Sequence, residues 1–190
     1  MRATARILVR DGYESLTTNQ VALEAGASVG SLYQYFSSKQ QLVAALLNQH
    51  IDDTLRQLRE ELPRLSLMPV EEAVPRFVEL SIEAHRCDPE LHRVFVEQLP
   101  RVGEFKKIEA GLHEGLAMAE AYLRLHADEI VPQNHALTAF LLVNTIESLT
   151  HMAVLTRPEL LATPEFVSEV SGWILGYLRP QPARSNQLRA

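Results

Sequence analysis

TTNQVALEAGASVGSLYQYFSSKQQL, residues 17–42, reads as two short helices, a tight turn between them and the capped start of a third. Thr17 or Thr18 is placed to cap the first helix, and Gln20, three residues after Thr17, completes a capping box. That helix is expected from about Asn19 to Ala25, with Val21, Ala22 and Ala25 as one small apolar face. Gly26 can take the left-handed conformation that ends a helix, and Ser28 can cap the next, Val29 to about Tyr35. The second helix buries only Leu32 and Phe36, yet carries Ser31, Tyr33, Gln34 and Tyr35. So short and polar an element is not held by its own share of a core. Two brief helices around a glycine turn, here 17–36, form the helix-turn-helix pattern, whose second helix enters the major groove of DNA.

Gly12-Tyr13, Leu16-Thr17-Thr18, Val21-Ala22, Ala25-Gly26, Ser28, Gly30, Leu32-Tyr33, Tyr35-Phe36 and Ser38-Lys39 follow one another without a gap. In these positions the chain resembles the DNA-binding domain of the TetR family of bacterial repressors. The resemblance covers about the first fifty residues; the rest is similar to the family only in length and all-helical patterning. It implies a bacterial regulator, not an enzyme, with no catalytic residues and no cofactor. Two positions depart from the family pattern. The sequence starts inside helix one, without the basic arm that usually precedes it, so either the true start lies upstream of Met1 or weaker phosphate anchoring is expected. Val29 stands where a charged or amide side chain is common, which leaves base preference open.

A chain of 190 residues can bury a sizeable core in one or two domains, and its 46% hydrophobic content is that of a globular protein. The longest apolar run, near Ala136–Val143, falls short of the ~20 residues a membrane span needs, so no membrane partner is expected. Met1–Arg10 lacks the apolar stretch of a signal peptide, and a lone cysteine, Cys87, suits a reducing cytoplasm. Net charge is −6, but residues 1–50 carry +1 and the remainder −7. An acidic body leaves the N-terminal end as the least unfavourable face toward a duplex, with modest non-specific affinity.

The pattern is all-α: a three-helix head (1–50), a larger helical body (51–180) and a polar tail (181–190) expected to be disordered, about nine helices in all. Helix one should run from Arg2 to Asp11 with Ala3, Ile7 and Leu8 inward, ending at Gly12. Helix four should start at a Ser37 or Ser38 cap and stop at Leu62 before Pro63, its apolar positions tying head to body. Helix five is expected over Val70–Arg86 with a kink at Pro75. Helix six should open on Asp88-Pro89-Glu90 and end before Pro100, and helix seven covers Glu104–Ala127. Helix eight is expected from Asn134 to Thr156 and helix nine from Pro164, capped by Thr163, to Leu178.

Thr18 and Asn19, at a helix start with free N–H groups, can hold a backbone phosphate. Ser28, Val29 and Ser31 lie where side chains reach base edges, a hydroxyl serving any base and Val29 packing on a thymine methyl. Gly30 permits close backbone approach, and Tyr33, Gln34 and Tyr35 offer polar groups to phosphates. Lys39, at the start of helix four, is read as a strong phosphate anchor. Taken singly, each has an ordinary structural reading as filler, cap or surface lysine; their joint spacing points to double-stranded DNA.

A single head reads too few base pairs for specificity, which calls for a homodimer on a pseudo-palindrome. Phe166, Val170, Trp173, Ile174, Tyr177 and Leu178 form a wide apolar stripe, with Gly172 and Gly176 permitting close helix approach. Such a stripe suits either a core helix or an interface; the resemblance implies the interface, because in the family the last two helices build a four-helix bundle with the partner. Asn144, Glu147 and His151 line one face of helix eight within apolar sequence. They can line an effector pocket, pair across the dimer or bond one another, and all three readings stay open. Phe77, Phe95, Leu112 and Leu116 are candidate apolar walls of that pocket. The resemblance implies a small-molecule effector that releases DNA.

Seven histidines raise the alternative of a helical metalloenzyme. Paired Glu-x-x-His motifs and HExxH are absent, and His85, Cys87 and His92 form only a loose cluster, so no metal is expected. A helical partner-binding module that has lost DNA contact is the other alternative.

Overall fold

The computed structural model describes residues 1–86, 89–102 and 105–179. The expected Asp88 cap, Cys87, Glu104 and the polar tail 181–190 lie outside the described residues.

The head is built by local signals. Helix α1 (Arg2–Ser15) turns Ala3, Ile7 and Leu8 inward and breaks at Gly12, where φ is 77° and ψ 168°, before resuming to Ser15. Helix α2 (Thr18–Glu24) opens on the full capping box: Gln20 N–H donates to Thr17 Oγ1 at 3.2 Å and Thr17 N–H to Gln20 Oε1 at 3.1 Å. Gly26, at φ 65°, makes the turn. Helix α3 (Val29–Tyr35) is capped by Ser28, which accepts from Ser31 N–H at 3.0 Å, and α4 (Lys39–Leu65) by Ser38, which accepts from Gln41 N–H at 3.3 Å. Ile7, Leu8, Leu16, Val21, Leu42 and Val43 form the head core, with Leu32 and Phe36 packed on it.

The body comprises α5 (Val70–Arg86), α6 (Pro89–Val102), α7 (Phe105–Leu125), α8 (His135–Thr156) and α9 (Pro164–Leu178), with a 3₁₀ turn at Pro158–Ala162 that the sequence reading lacked. No strand occurs among the described residues. Helices α7 and α8, and α5 and α9, pack in pairs around Val78, Ile146, Val154, Ile174 and Leu178. The expected division at residue 50 falls inside α4, and α6 sends Phe95 into the head core and packs on α1.

Prolines shorten these helices less than expected. Helix α4 passes Pro63 and ends three residues beyond Leu62, closed by Ser66, whose N–H donates to Leu62 O and whose hydroxyl donates to Pro63 O. Helix α6 likewise continues past Pro100, whereas α5 spans Val70–Arg86 through Pro75, the bounds expected of it. A proline removes one backbone bond, and a carbonyl near a helix end is readily satisfied otherwise. Thr163 precedes α9 but makes no side-chain cap; its hydroxyl donates to Leu160 O at 2.8 Å.

Helix α8 is, among the described residues, long and apolar enough to cross a membrane by length and composition, although no single apolar run in it reaches that length. It packs along α7, α5 and α6 with Thr138, Leu142, Ile146, Thr150 and Val154 buried, the arrangement of a core helix.

The start of α5 is fastened to the end of α7. Tyr122 Oη donates to Met68 O at 2.9 Å, and Val70 N–H donates to Glu129 Oε2 at 2.8 Å. The Val70 bond, then His126 beside it, holds the Glu129 carboxyl below its ordinary 4.5. A lowered folded-state value means stability that is present at neutral pH and lost as pH falls through that value. Thermal melts of the wild type are therefore expected to lose more between pH 5 and about pH 3 than those of Glu129→Gln. Parallel pH curves for the two proteins would show that Glu129 contributes nothing.

Candidate nucleic-acid interface and ligand cavity

Helix α3 has no buried residue. Ser28, Val29, Ser31, Tyr33, Gln34 and Tyr35 are all exposed, Tyr35 to 78%, as is Asn19 on α2. Ser28 and Ser31 hydroxyls pair at 2.8 Å, which sets them side by side at the front of the helix. A Cβ on Gly30 would meet nothing within 4 Å, so nothing in the protomer requires glycine there.

Two of the expected contacts are placed otherwise. Thr18 is buried, 8% exposed, and its hydroxyl donates to Tyr33 Oη at 2.8 Å, so it positions the tyrosine rather than facing outward. Lys39 Nζ donates to the carbonyls of Tyr13 and Glu14 at 3.0 and 3.1 Å and lies 4.6 Å from the Tyr13 ring centroid. The lysine closes the chain after the Gly12 break, a role fixed by a contact twenty-six residues away in sequence. Arg6 and Arg10 are engaged by Glu24 and Asp11.

In the body, a cavity of about 370 Å³ lies between α4, α5, α7 and α8. Five of the seven pocket candidates line it: Phe77, Leu112, Asn144, Glu147 and His151. Phe95 does not, being buried in the head core, and Leu116 is half-buried off the lining. An apolar cleft of about 70 Å³ adjoins it, sharing Leu58, Phe77 and Val143 and reaching Tyr122 and Leu123. The pair thus has a polar end at Asn144, Glu147 and His151 and an apolar end. Of the open readings for that polar stripe, Asn144 bonds its own helix, Nδ2 to Phe140 O at 2.8 Å, while Glu147 and His151 join a network and line the cavity.

That network is the feature sequence reasoning missed. His85 from α5, His92 from α6 and His151 from α8 gather in one cluster beside His50 of α4. Glu147 Oε2 lies 3.4 Å from His85 Nε2 and 3.8 Å from His151 Nε2. Burial, then the neighbouring imidazoles of His85, His151 and His50, drives His92 down to about 2, so it is neutral. Burial also disfavours charge on His85, but the Glu147 hydrogen bond and charge outweigh it and raise its value. From sequence, Glu147 and His151 stand four apart and His85 and His92 form a loose cluster with Cys87; that the two groups meet follows only from the packing of α5, α6 and α8.

The stripe on α9 divides into two faces. Val170 and Ile174 (1% exposed) belong to the protomer core and are not free to meet a partner as expected, whereas Phe166 is half-buried against that core. An apolar stripe this wide hides the split from periodicity, because it spans both the core-facing and the outward positions. Trp173 and Tyr177 are exposed, Trp173 to 56%, together with Phe140, Leu141, Leu149 and Met152 of α8. Gly172 and Gly176 sit beside them, with open space where a Cβ would stand.

Comparison with known proteins gives matches along most of the chain. Residues 1–46 match the family model described as bacterial regulatory proteins, tetR family, and residues 69–178 match that described as tetracyclin repressor-like, C-terminal domain. The chain is similar to the HTH-type transcriptional activator FasR of Mycolicibacterium smegmatis, 33% identical over 89 residues, 44% of this chain and 41% of that protein. The match thus spans under half the length of that curated relative. Among solved structures, the fatty acid degradation regulator FadR from Bacillus halodurans superposes with a TM-score of 0.73 at 19% identity, over 94% of this chain and 97% of that one. FadR from Bacillus subtilis, solved in complex with stearoyl-CoA, gives 0.68 at 18% identity, over 92% and 93%. At these identities the structural likeness is one of fold.

Proposed function

The chain belongs to the tetR family of bacterial regulatory proteins, and from that premise we propose that it is a cytoplasmic, homodimeric DNA-binding regulator, a repressor released from a pseudo-palindromic operator by a small amphiphile. The observation that carries the DNA reading is that α3 has no fully buried residue and exposes Ser31, Gln34 and Tyr35 while only Leu32 leans on the head core. Head and body divide as 1–50 and 51–180. Asn19, the α2 N-terminus and Tyr33, held by Thr18, take phosphates; Ser28, Val29, Ser31 and Gln34 meet base edges; Tyr35 adds contact at the rim. Lys39 supports the head and offers its remaining donor to a phosphate.

Selection of genomic fragments by the purified protein, followed by mobility shift, tests this reading. Ser31→Ala is expected to alter preference at one position per half-site by ~1–3 kcal/mol, whereas Asn19→Ala weakens all sequences alike. Failure to enrich any sequence, or equal effects of both variants on every sequence, would remove the assignment of readers and anchors.

The effector reading rests on the paired cavities. A larger cavity with a polar end that continues into an apolar cleft suits a molecule with a polar head and an apolar tail, and the Bacillus subtilis neighbour was solved with stearoyl-CoA. Ile51, Leu55 and Leu58 of α4 line the larger cavity, and the same helix begins directly after α3 and Phe36. Occupancy therefore acts on the head by favouring one of two dimer arrangements. Stearoyl-CoA is expected to weaken operator binding at least ~10-fold, with no effect from free CoA and a blunted response in Phe77→Trp, which fills the cavity junction. Unchanged operator affinity across an acyl-chain series would defeat the amphiphile assignment while leaving the DNA reading intact.

A further inference from the structure

His85, His92 and His151 each place one imidazole nitrogen within 4.8 Å of the others, two of the three residues being buried. Both ring nitrogens of His92 are buried without a hydrogen-bond partner, the residue being 8% exposed. A buried polar group without a partner is costly, and native proteins rarely keep one unless it has a function. His85 Nδ1 lies 2.6 Å from the Ser81 carbonyl, which can only accept, so Nδ1 carries the proton and Nε2 faces the cluster. A backbone carbonyl that fixes the tautomer in this way is the usual support of a metal-bound histidine. Across from it, Glu147 Oε2 stands 3.4 Å from that Nε2. With His85 neutral, two lone pairs would confront each other there; a cation must lie between them, a proton or a metal ion.

We propose that His85, His92, His151 and Glu147 form a site for one divalent transition-metal ion of the zinc class. Ligands around a tetrahedral zinc stand ~3.3 Å apart. The Glu147 separations, 3.4 and 3.8 Å, already approach this, and small imidazole rotations close the rest. Three imidazoles and a carboxylate fill the shell, leaving no open position for catalysis, so the ion is structural or regulatory. Its place gives it consequence: the ligands come from α5, α6 and α8, and α6 carries Leu91, Val94 and Phe95 against the head core. A bound ion ties the body to the helix on which the head rests. Binding releases the proton that His85 otherwise shares with Glu147. The assignment stands on these side chains and not on the DNA-binding reading.

Untagged, full-length protein stripped with EDTA and titrated with cobalt(II) tests it. One equivalent per chain is expected, with the intense visible absorption of a four-coordinate ion, displaced by zinc, and a melting temperature raised by zinc. His92→Gln and His151→Gln should each lower affinity at least ~100-fold, while the exposed His113→Gln should not. Should His92→Gln fail to fold, the half-exposed His151→Gln decides alone. No binding at one equivalent, the pale spectrum of a six-coordinate ion, or binding that survives His151→Gln would overturn the proposal and leave a proton as the cation between His85 and Glu147.

Discussion

Trp173→Asp combined with Tyr177→Asp is expected to yield a folded monomer that has lost operator binding by ~1000-fold or more, because specific recognition exceeds non-specific binding by at least that factor and needs two heads. Both side chains are exposed, as are Phe140 and Met152 of α8, apolar surface that a monomer has no reason to keep. Gly172 and Gly176 lie on the same face, where a Cβ would enter open space, so their smallness answers no packing need within the protomer. Two carboxylates brought into a buried two-fold contact meet their own copies and repel. Sedimentation and mobility shift read the two halves of the result, and far-ultraviolet circular dichroism confirms that the monomer is folded. A double variant that still sediments as a dimer would move the interface elsewhere.

Ile174→Ala, one residue along, should do the opposite. Ile174 is buried among the α5, α8 and α9 side chains, and emptying its place is expected to cost ~2–5 kcal/mol, read as a lower urea midpoint at constant protein concentration. Dimerisation of the molecules that remain folded should be unaffected. A loss of dimer with unchanged protomer stability would show that Ile174 faces the partner, contrary to its burial here.

The contrast between these neighbours marks where sequence stops being informative. Caps and turns are local, so Ser28, Gly12 and Gly26 could be located from residue type and spacing alone, and the caps at Thr17 and Ser38 to within one residue. Helix ends at Pro63 and Pro100 could not, since whether a helix survives a proline depends on what satisfies the freed carbonyl. Apolarity says that Phe95 is buried but not in which core, and it says the same of Ile174 and Trp173, of which only one is. Lys39 was read from its own helix start, yet its partners lie on α1. The histidine cluster was least legible of all, because His85, His92 and His151 meet only through the packing of three helices.

One feature of the backbone sets a scale for regulation. Helix α4 runs unbroken for 27 residues from the recognition end to the cavity wall, a rod of ~40 Å. Pivoted at its far end by ~5°, such a rod sweeps its tip through ~3.5 Å, about the 3.4 Å that separates successive bases along one strand. In the proposed homodimer, the same swing mirrored in the second copy would alter the span between the two heads by nearly two steps of the duplex. On the proposed function, a molecule that wedged the base of the rod would put both ends out of register with their grooves.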